Sequence, residues 1–273
     1  MARTVPGIRD AVAAIRSEGR SVAFVPTMGA LHEGHLTLVR AAAATGAGVI
    51  VSVFVNPTQF GPNEDFTRYP RQEARDAEMA GSAGAEWIYA PGFATTITVD
   101  GPSEGLEGAI RPGHFAGVAT VVAKLLLMVR PDRLLLGQKD AQQVAVVRRM
   151  MRDLHLDEIA LEVVPTVREA DGLAMSSRNA YLGPEDRVAA LSLSRGLAAA
   201  EATAAAGERD ARRIEAAAMA VMEGTHGVAP DYAALVDPDT FRPITTLDGP
   251  ATLCVAAKVG PARLIDNTLI RPT

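Results

Sequence analysis

Two histidines three residues apart carry the strongest chemical signal in this sequence. They lie in Val25-Pro26-Thr27-Met28-Gly29-Ala30-Leu31-His32-Glu33-Gly34-His35, where an apolar run ends, Gly29 permits a turn and a helical pattern starts near Gly34. If the turn is already helical, this spacing places both imidazoles on one face. Their ring N–H groups could then donate to phosphoryl oxygens as charge develops in a transition state. A helix N-terminus adds unpaired N–H groups and partial positive charge, which suit a polyphosphate. Paired histidines can also hold zinc, but no third ligand follows at suitable spacing. A helix cap beside a core histidine is the plainer alternative.

Three other segments place polar side chains just after apolar runs. Asn56-Pro57-Thr58-Gln59-Phe60-Gly61 offers two amides that could recognise a hydroxyl or carboxylate, or could simply solvate a loop. In Gly137-Gln138-Lys139-Asp140-Ala141-Gln142-Gln143, Lys139 can neutralise triphosphate oxygens and Asp140 can order the turn or bind a ribose hydroxyl. Gln143 could reach a substrate carboxylate, although a Lys-Asp pair at a helix start is often only a cap. Val164-Pro165-Thr166-Val167-Arg168-Glu169 leads to Met175-Ser176-Ser177-Arg178-Asn179, where two hydroxyls and a guanidinium make an oxyanion clamp on a candidate mobile loop. An ordinary Ser-rich turn is the alternative there.

Alternating strand and helix patterns are what could bring these segments to one edge. Apolar, β-branched runs at 22–25, 49–55, 87–90, 134–136 and 161–167 read as buried parallel strands. Helical patterns fall at 5–17, 34–45, 70–83, 115–129 and 139–154. This is a doubly wound, Rossmann-like α/β sheet, in which ligands bind at the carboxyl ends of the strands. After residue 179 the texture changes to two Ala-rich helices at 184–206 and 209–223, then short strands near 232–236, 251–257 and 264–267. The expected division is therefore a nucleotide-binding domain over 1–178 and a smaller C-terminal α+β domain over 179–273.

The 273 residues carry a net charge of −5, with 48% hydrophobic and 22% charged residues. No run of Lys and Arg interleaved with aromatics is present, which disfavours nucleic acid and leaves small molecules as partners. Cys254, the one cysteine, lies in an apolar run that reads as a buried strand. No stretch has the length and apolarity of a membrane span, and the first 17 residues match neither a signal nor a transit peptide, so a cytoplasmic location is expected. Hydride transfer is disfavoured because Gly-x-Gly-x-x-Gly is absent after the first strand.

His32-Glu33-Gly34-His35 resembles the His-x-Gly-His signature of the nucleotidyltransferase superfamily. With residues 26–35, 53–61, His114-Phe115-x-Gly117-Val118, Gly137-x-Lys139-Asp140-x-Gln142-Gln143, 175–179 and Arg263-Leu264-Ile265-Asp266-Asn267 in order, nearly the whole chain resembles the pantoate–β-alanine ligase (pantothenate synthetase) family. The resemblance implies an ATP-dependent condensation of (R)-pantoate with β-alanine through a pantoyl adenylate, a homodimer, and Mg2+ accompanying ATP. It implies ATP contacts from Met28, Gly29, Ala30, Leu31, His32, Glu33, Gly34, His35, Gly137, Gln138, Lys139, Asp140, Val167, Met175, Ser176, Ser177 and Arg178. His35 would be the proton donor, and His32, Lys139, Ser176, Ser177 and Arg178 would share the catalytic work. Pro26, Met28, Asn56, Gln59 and Gln143 would form the pantoate and β-alanine site.

Three departures from the family pattern stand out. Ala141 replaces an aromatic residue, which should loosen packing behind Gln142 and Gln143. The loop at 91–96 looks shortened, and the acidic run after Tyr69-Pro70-Arg71 retains only Asp76 as an expected magnesium ligand. A relative that adenylylates a phosphate ester, and a nucleotide-binding regulator with a degenerate site, are the rival readings. The amides Gln59 and Gln143 count against the first, and the polar residues retained after the strands count against the second.

Overall fold

The protein is described by a computed structural model covering residues 1–60, 64–89 and 96–272. It divides into two compact units, Met1–Gln138 with Gln142–Pro165, and Lys139–Ala141 with Thr166–Thr273. Residues 166–178, read from composition with the first domain, fall in the second unit. The reason is physical: Arg168 forms a bidentate pair with Asp266, so residues 166–178 pack with the later chain.

The first unit is a five-stranded parallel sheet of order β3-β2-β1-β4-β5, formed by β1 (Val22–Thr27), β2 (Gly48–Val53), β3 (Trp87–Tyr89), β4 (Arg133–Gly137) and β5 (Ala160–Val164). Successive strand residues face opposite sides, and β1 is buried on both. Val22 and Phe24 pack with α1 (Val5–Ser17), α5 (His114–Val129) and α6 (Ala141–Asp153). Ala23 and Val25 pack with α2 (Glu33–Ala43) and α3 (Glu73–Ser82). A short helix, α4 (Leu106–Ile110), precedes α5.

Strand order reverses between β1 and β4, so the chain leaves their carboxyl ends in opposite directions and opens a crevice there. The His32–His35 segment follows β1, and the Gln138–Asp140 turn follows β4. The doubly wound reading of the sequence holds. The strand read as 87–90 is described through Tyr89, while Ala90 lies outside the described residues, as do Gly61 and positions 91–95 of the shortened loop.

In the second unit, α7 (Pro184–Ala205) and α8 (Ala211–Glu223) cover an antiparallel sheet of β6 (Val228–Val236), β7 (Ala251–Val259) and β8 (Ala262–Ile270). Ala251, Leu253, Val255, Ala257 and Val259 alternate along β7 and join the helical core. Gly196 lets the two helices close, because a Cβ there would sit 2.9 Å from the Ala218 carbonyl oxygen. Cys254 is buried in β7, as its apolar neighbours require. Among the described residues, no helix is long and apolar enough to cross a membrane.

The turn between β1 and α2 is held from three directions. Thr27 donates its hydroxyl to the Ser52 carbonyl at 2.6 Å and accepts the Gly29 N–H at 3.1 Å. Gly29 and Ala30 adopt positive φ values of 84° and 51°, which leave the Ala30 and Leu31 N–H groups outside both strand ladder and helix. Asp76, on α3 and 2% exposed, accepts them at 3.0 and 2.8 Å, one on each carboxylate oxygen. Asp76→Ala would strand both donors, so it should cost about 2–4 kcal/mol. Asp76→Asn, which keeps one oxygen acceptor, should cost about half of that. Urea unfolding followed by Trp87, the one tryptophan and a member of β3, reads this directly; an unchanged midpoint in Asp76→Ala would show that the carboxylate does not hold the turn.

Candidate active site

The histidine pair is built into the start of α2. His32 is the N-cap in extended conformation, and its Nδ1 accepts the Gly34 N–H at 3.2 Å. The His35 Nδ1 in turn accepts the His32 N–H at 3.4 Å, completing a reciprocal capping box. With both Nδ1 atoms accepting, each neutral ring carries its proton on Nε2, a tautomer assigned from the hydrogen-bond network. The ring centroids are 4.2 Å apart, so the spacing of three does bring both imidazoles together.

This arrangement changes the expected source of donors. The His32 ring takes the Gly34 N–H and the His32 carbonyl takes the His35 N–H at 2.9 Å, so the imidazole Nε2–H groups present the donors. The Glu33 side chain pairs with Arg40, whose hydrogen bond holds its carboxyl below the usual carboxylate range. A nucleotide contact from Glu33 would therefore come from its backbone.

The amide segment after β2 is a buried scaffold around Gln59. Asn56 is 1% exposed, and its amide donates to Gln59 Oε1 at 3.1 Å and to the Gly117 carbonyl at 3.0 Å. Its Oδ1 accepts the Thr58 N–H and hydroxyl at 3.2 and 2.9 Å. Asn56 thus orients Gln59, and its influence on a substrate would pass through that residue. Gln59 is 6% exposed and directs its Nε2 toward the Met28 sulfur at 3.0 Å, which joins the ends of β1 and β2.

Behind Gln59 lies a cationic support with no counterpart in the local sequence pattern. Arg111 donates to Glu64 at 2.5 and 2.8 Å, and its Nη1 lies 2.9 Å from His114 Nε2. Because a guanidinium can only donate, Nε2 accepts and the His114 proton sits on Nδ1, 2.7 Å from the Gln59 carbonyl. His114 therefore fixes the amide segment from the first turn of α5. Gly117 is required by the same packing, since a Cβ there would lie 2.4 Å from the Thr58 carbonyl oxygen.

Gln142 is also a scaffold residue. It is 5% exposed, donates toward the carbonyls of Pro102, Glu104 and Gly105 at 3.0–3.2 Å, and accepts the Glu107 N–H at 3.1 Å. These backbone groups hold the Gln142 amide next to Ala141. Gln143, its neighbour, is half-buried on α6.

The second unit carries the remaining residues. Lys139 Nζ lies 3.5 Å from Asp140, and the Asn267 amide donates to the Lys139 carbonyl at 2.7 Å. Residues 167–175 fold back on themselves, with the Met175 N–H on the Val167 carbonyl at 3.0 Å. Ser176 then caps a 3-10 turn over Ser177–Tyr181, accepting the Arg178 N–H at 3.2 Å.

The segment that leads into the loop read from sequence as mobile carries several polar pairs within this unit. Arg168 grips Asp266, Asn179 donates to Glu169 and to the Ala174 carbonyl, and Arg187 pairs with both Glu169 and Asp171. The Leu173 N–H, followed by Arg187, holds the Asp171 carboxyl below its ordinary range.

Asp76 does not fit the magnesium role expected of it. It is buried, with a backbone N–H on each oxygen, and its function is to hold the turn that carries His32. No cluster of three or more His, Cys, Asp or Glu residues suited to a metal occurs among the described residues.

The family model for pantoate-beta-alanine ligase matches residues 1–269. The chain is 53% identical to a pantothenate synthetase of Rhizorhabdus wittichii over 99% of its own length and 98% of that protein. It is 55% identical to one of Acidobacterium capsulatum over 93% and 87% of the two chains. The crystal structure of pantothenate synthetase from Thermus thermophilus superposes with a TM-score of 0.92 at 45% identity, covering 99% of each chain. A pantoate-beta-alanine ligase from Francisella tularensis, complexed with beta-gamma ATP and beta-alanine, superposes with a TM-score of 0.75 at 31% identity, covering 98% of this chain and 96% of that one. With a parallel sheet reversing beside paired, mutually capped histidines and a match along almost its full length, this chain belongs to the pantoate–β-alanine ligase family.

Proposed function

We propose that this family member condenses (R)-pantoate with β-alanine in an ATP-dependent reaction through a pantoyl adenylate, releasing pyrophosphate and then AMP. The observation that carries the reading is the His32–His35 capping box at the switch point of the sheet, with Gln59 buried beside Met28. A carbon–nitrogen ligase is what the family match supports.

In the first step the pantoate carboxylate attacks the α-phosphorus in line and the bond to pyrophosphate breaks, so catalysis is mainly positioning and charge stabilisation. His35 Nε2–H acts as proton donor beside His32, with Lys139, Ser176, Ser177 and Arg178 binding phosphoryl oxygens. Residues 28–35, 137–140, Val167 and 175–178 form the ATP contacts. Gln59 and Gln143 hold pantoate with Pro26 and Met28, and Asn56 supports Gln59. In the second step the free amine of β-alanine attacks the acyl carbonyl and AMP leaves, so the amine must first lose its proton.

In this reading residues 1–178 bind nucleotide and pantoate, and 179–273 form the lid domain. Mg2+ would accompany ATP as a counter-ion offsetting triphosphate charge, and among the described residues no cluster of carboxylates is placed to hold it. The homodimer rests on the family resemblance, and the cytoplasmic location on the absence of a targeting or membrane-span pattern in the sequence.

AMP release from Mg-ATP that requires both pantoate and β-alanine is the expected result; AMP release independent of pantoate would refute the assignment. His35→Ala should slow adenylation by about 10²–10³-fold, the loss typical of one charge-stabilising donor. A near-normal pyrophosphate burst in that variant would remove His35 from the chemistry. Gln59→Ala should lower kcat/KM for pantoate by about 10–100-fold while the KM for ATP stays nearly constant. Equal losses for both substrates would argue against a pantoate contact.

A further inference from the structure

β8 carries two adjacent polar side chains that are almost fully buried, Asp266 at 3% and Asn267 at 4% exposure. Neighbouring residues on a strand project to opposite faces. Each of these two nevertheless ends on a segment that bears proposed ATP contacts. Asp266 receives both Arg168 guanidinium nitrogens, at 2.6 and 3.1 Å, and Arg168 also donates to the Gly172 carbonyl at 3.1 Å. Asn267 donates to the Lys139 carbonyl at 2.7 Å across a separation of 128 residues.

Burying a carboxylate and an amide is costly unless the groups are paired, and an apolar strand would pack as well or better. The return is geometric. A bidentate guanidinium–carboxylate pair fixes both orientation and distance. Holding a carbonyl fixes the peptide plane from which the following residues depart.

We propose that Asp266 and Asn267 are positioning residues for adenylation, holding the Lys139 turn and the Arg168–Arg178 hairpin in one frame so that their donors meet the triphosphate at constant spacing. The proposal rests on the ligase reading above. Donors fixed in advance need no reorganisation as charge moves onto pyrophosphate, and a displacement of about 1 Å can cost about 10²-fold in rate. Neither residue touches substrate in this account; both act through Lys139 and the hairpin.

The test uses the full chain carrying Asn267→Ala, with Asn267→Ser as a second variant if the first fails to fold. Three rates are compared with wild type: AMP formation with ATP varied, AMP formation with pantoate varied, and aminolysis of supplied pantoyl adenylate by β-alanine. Asn267→Ala should lower kcat/KM for ATP by about 10–100-fold. The KM for pantoate and the aminolysis rate should stay within about twofold of wild type, since neither uses the triphosphate grip. The double variant Lys139→Ala/Asn267→Ala should be no worse than Lys139→Ala alone within about twofold, because the two residues act as a unit. Parallel losses in all three rates, or multiplicative losses in the double variant, would overturn the proposal and leave a purely structural role. If wild type forms no AMP from ATP, pantoate and β-alanine together, the ligase reading fails by itself. ATP affinity by titration calorimetry then decides the positioning role: weaker binding in Asn267→Ala sustains it, and an unchanged Kd overturns it.

Discussion

Two backbone N–H groups, those of Ala30 and Leu31, belong to neither the β1 ladder nor the α2 helix, and a buried carboxylate from α3 receives them. The rest of the first half of the site depends on that contact. The left-handed turn it holds puts His32 at the N-cap, where each imidazole accepts a backbone N–H through Nδ1, which leaves the proton of both neutral rings on Nε2. An acidic residue that looks from sequence like a metal ligand therefore serves the site as an acceptor for backbone, 45 and 46 residues away along the chain.

The same economy governs the amides. Asn56 looks available for a ligand, yet like Gln142 and Asn267 it directs its side chain onto backbone or onto a neighbouring amide. Buried polar groups must be paired, so a side chain placed beneath a binding edge is consumed by the loops that form that edge. The polar residues then divide into a set that holds backbone, such as Asn56, His114, Arg111, Asp76, Asp266 and Asn267, and a set proposed to meet substrate, such as His32, His35, Gln59 and Lys139. Ordered placement of the second set depends on the first, because losing those bonds would leave buried donors stranded.

Local sequence patterns were legible where structure follows from short-range physics. The alternation of β-branched runs with amphipathic stretches predicted a doubly wound sheet, since parallel strands need long crossovers and burial on both faces. His32 and His35 could be paired on spacing because an N-cap residue and the N3 residue three positions on share the first turn. The sequence order of the motifs identified the family, which the match over residues 1–269 bears out.

The roles of single polar residues were decided by tertiary structure. Asp76 and Leu31, Arg111 and Glu64, Asn267 and Lys139 lie 45, 47 and 128 residues apart, and no local period links them. The Arg168–Asp266 pair, whose partners lie 98 residues apart, is likewise invisible to any local pattern. Periodicity encodes which faces are buried, because hydrophobic burial is non-directional and averages over many residues. A hydrogen bond is directional and falls away within a few tenths of an ångström, so its partner is settled only when the folded chain brings the two groups together.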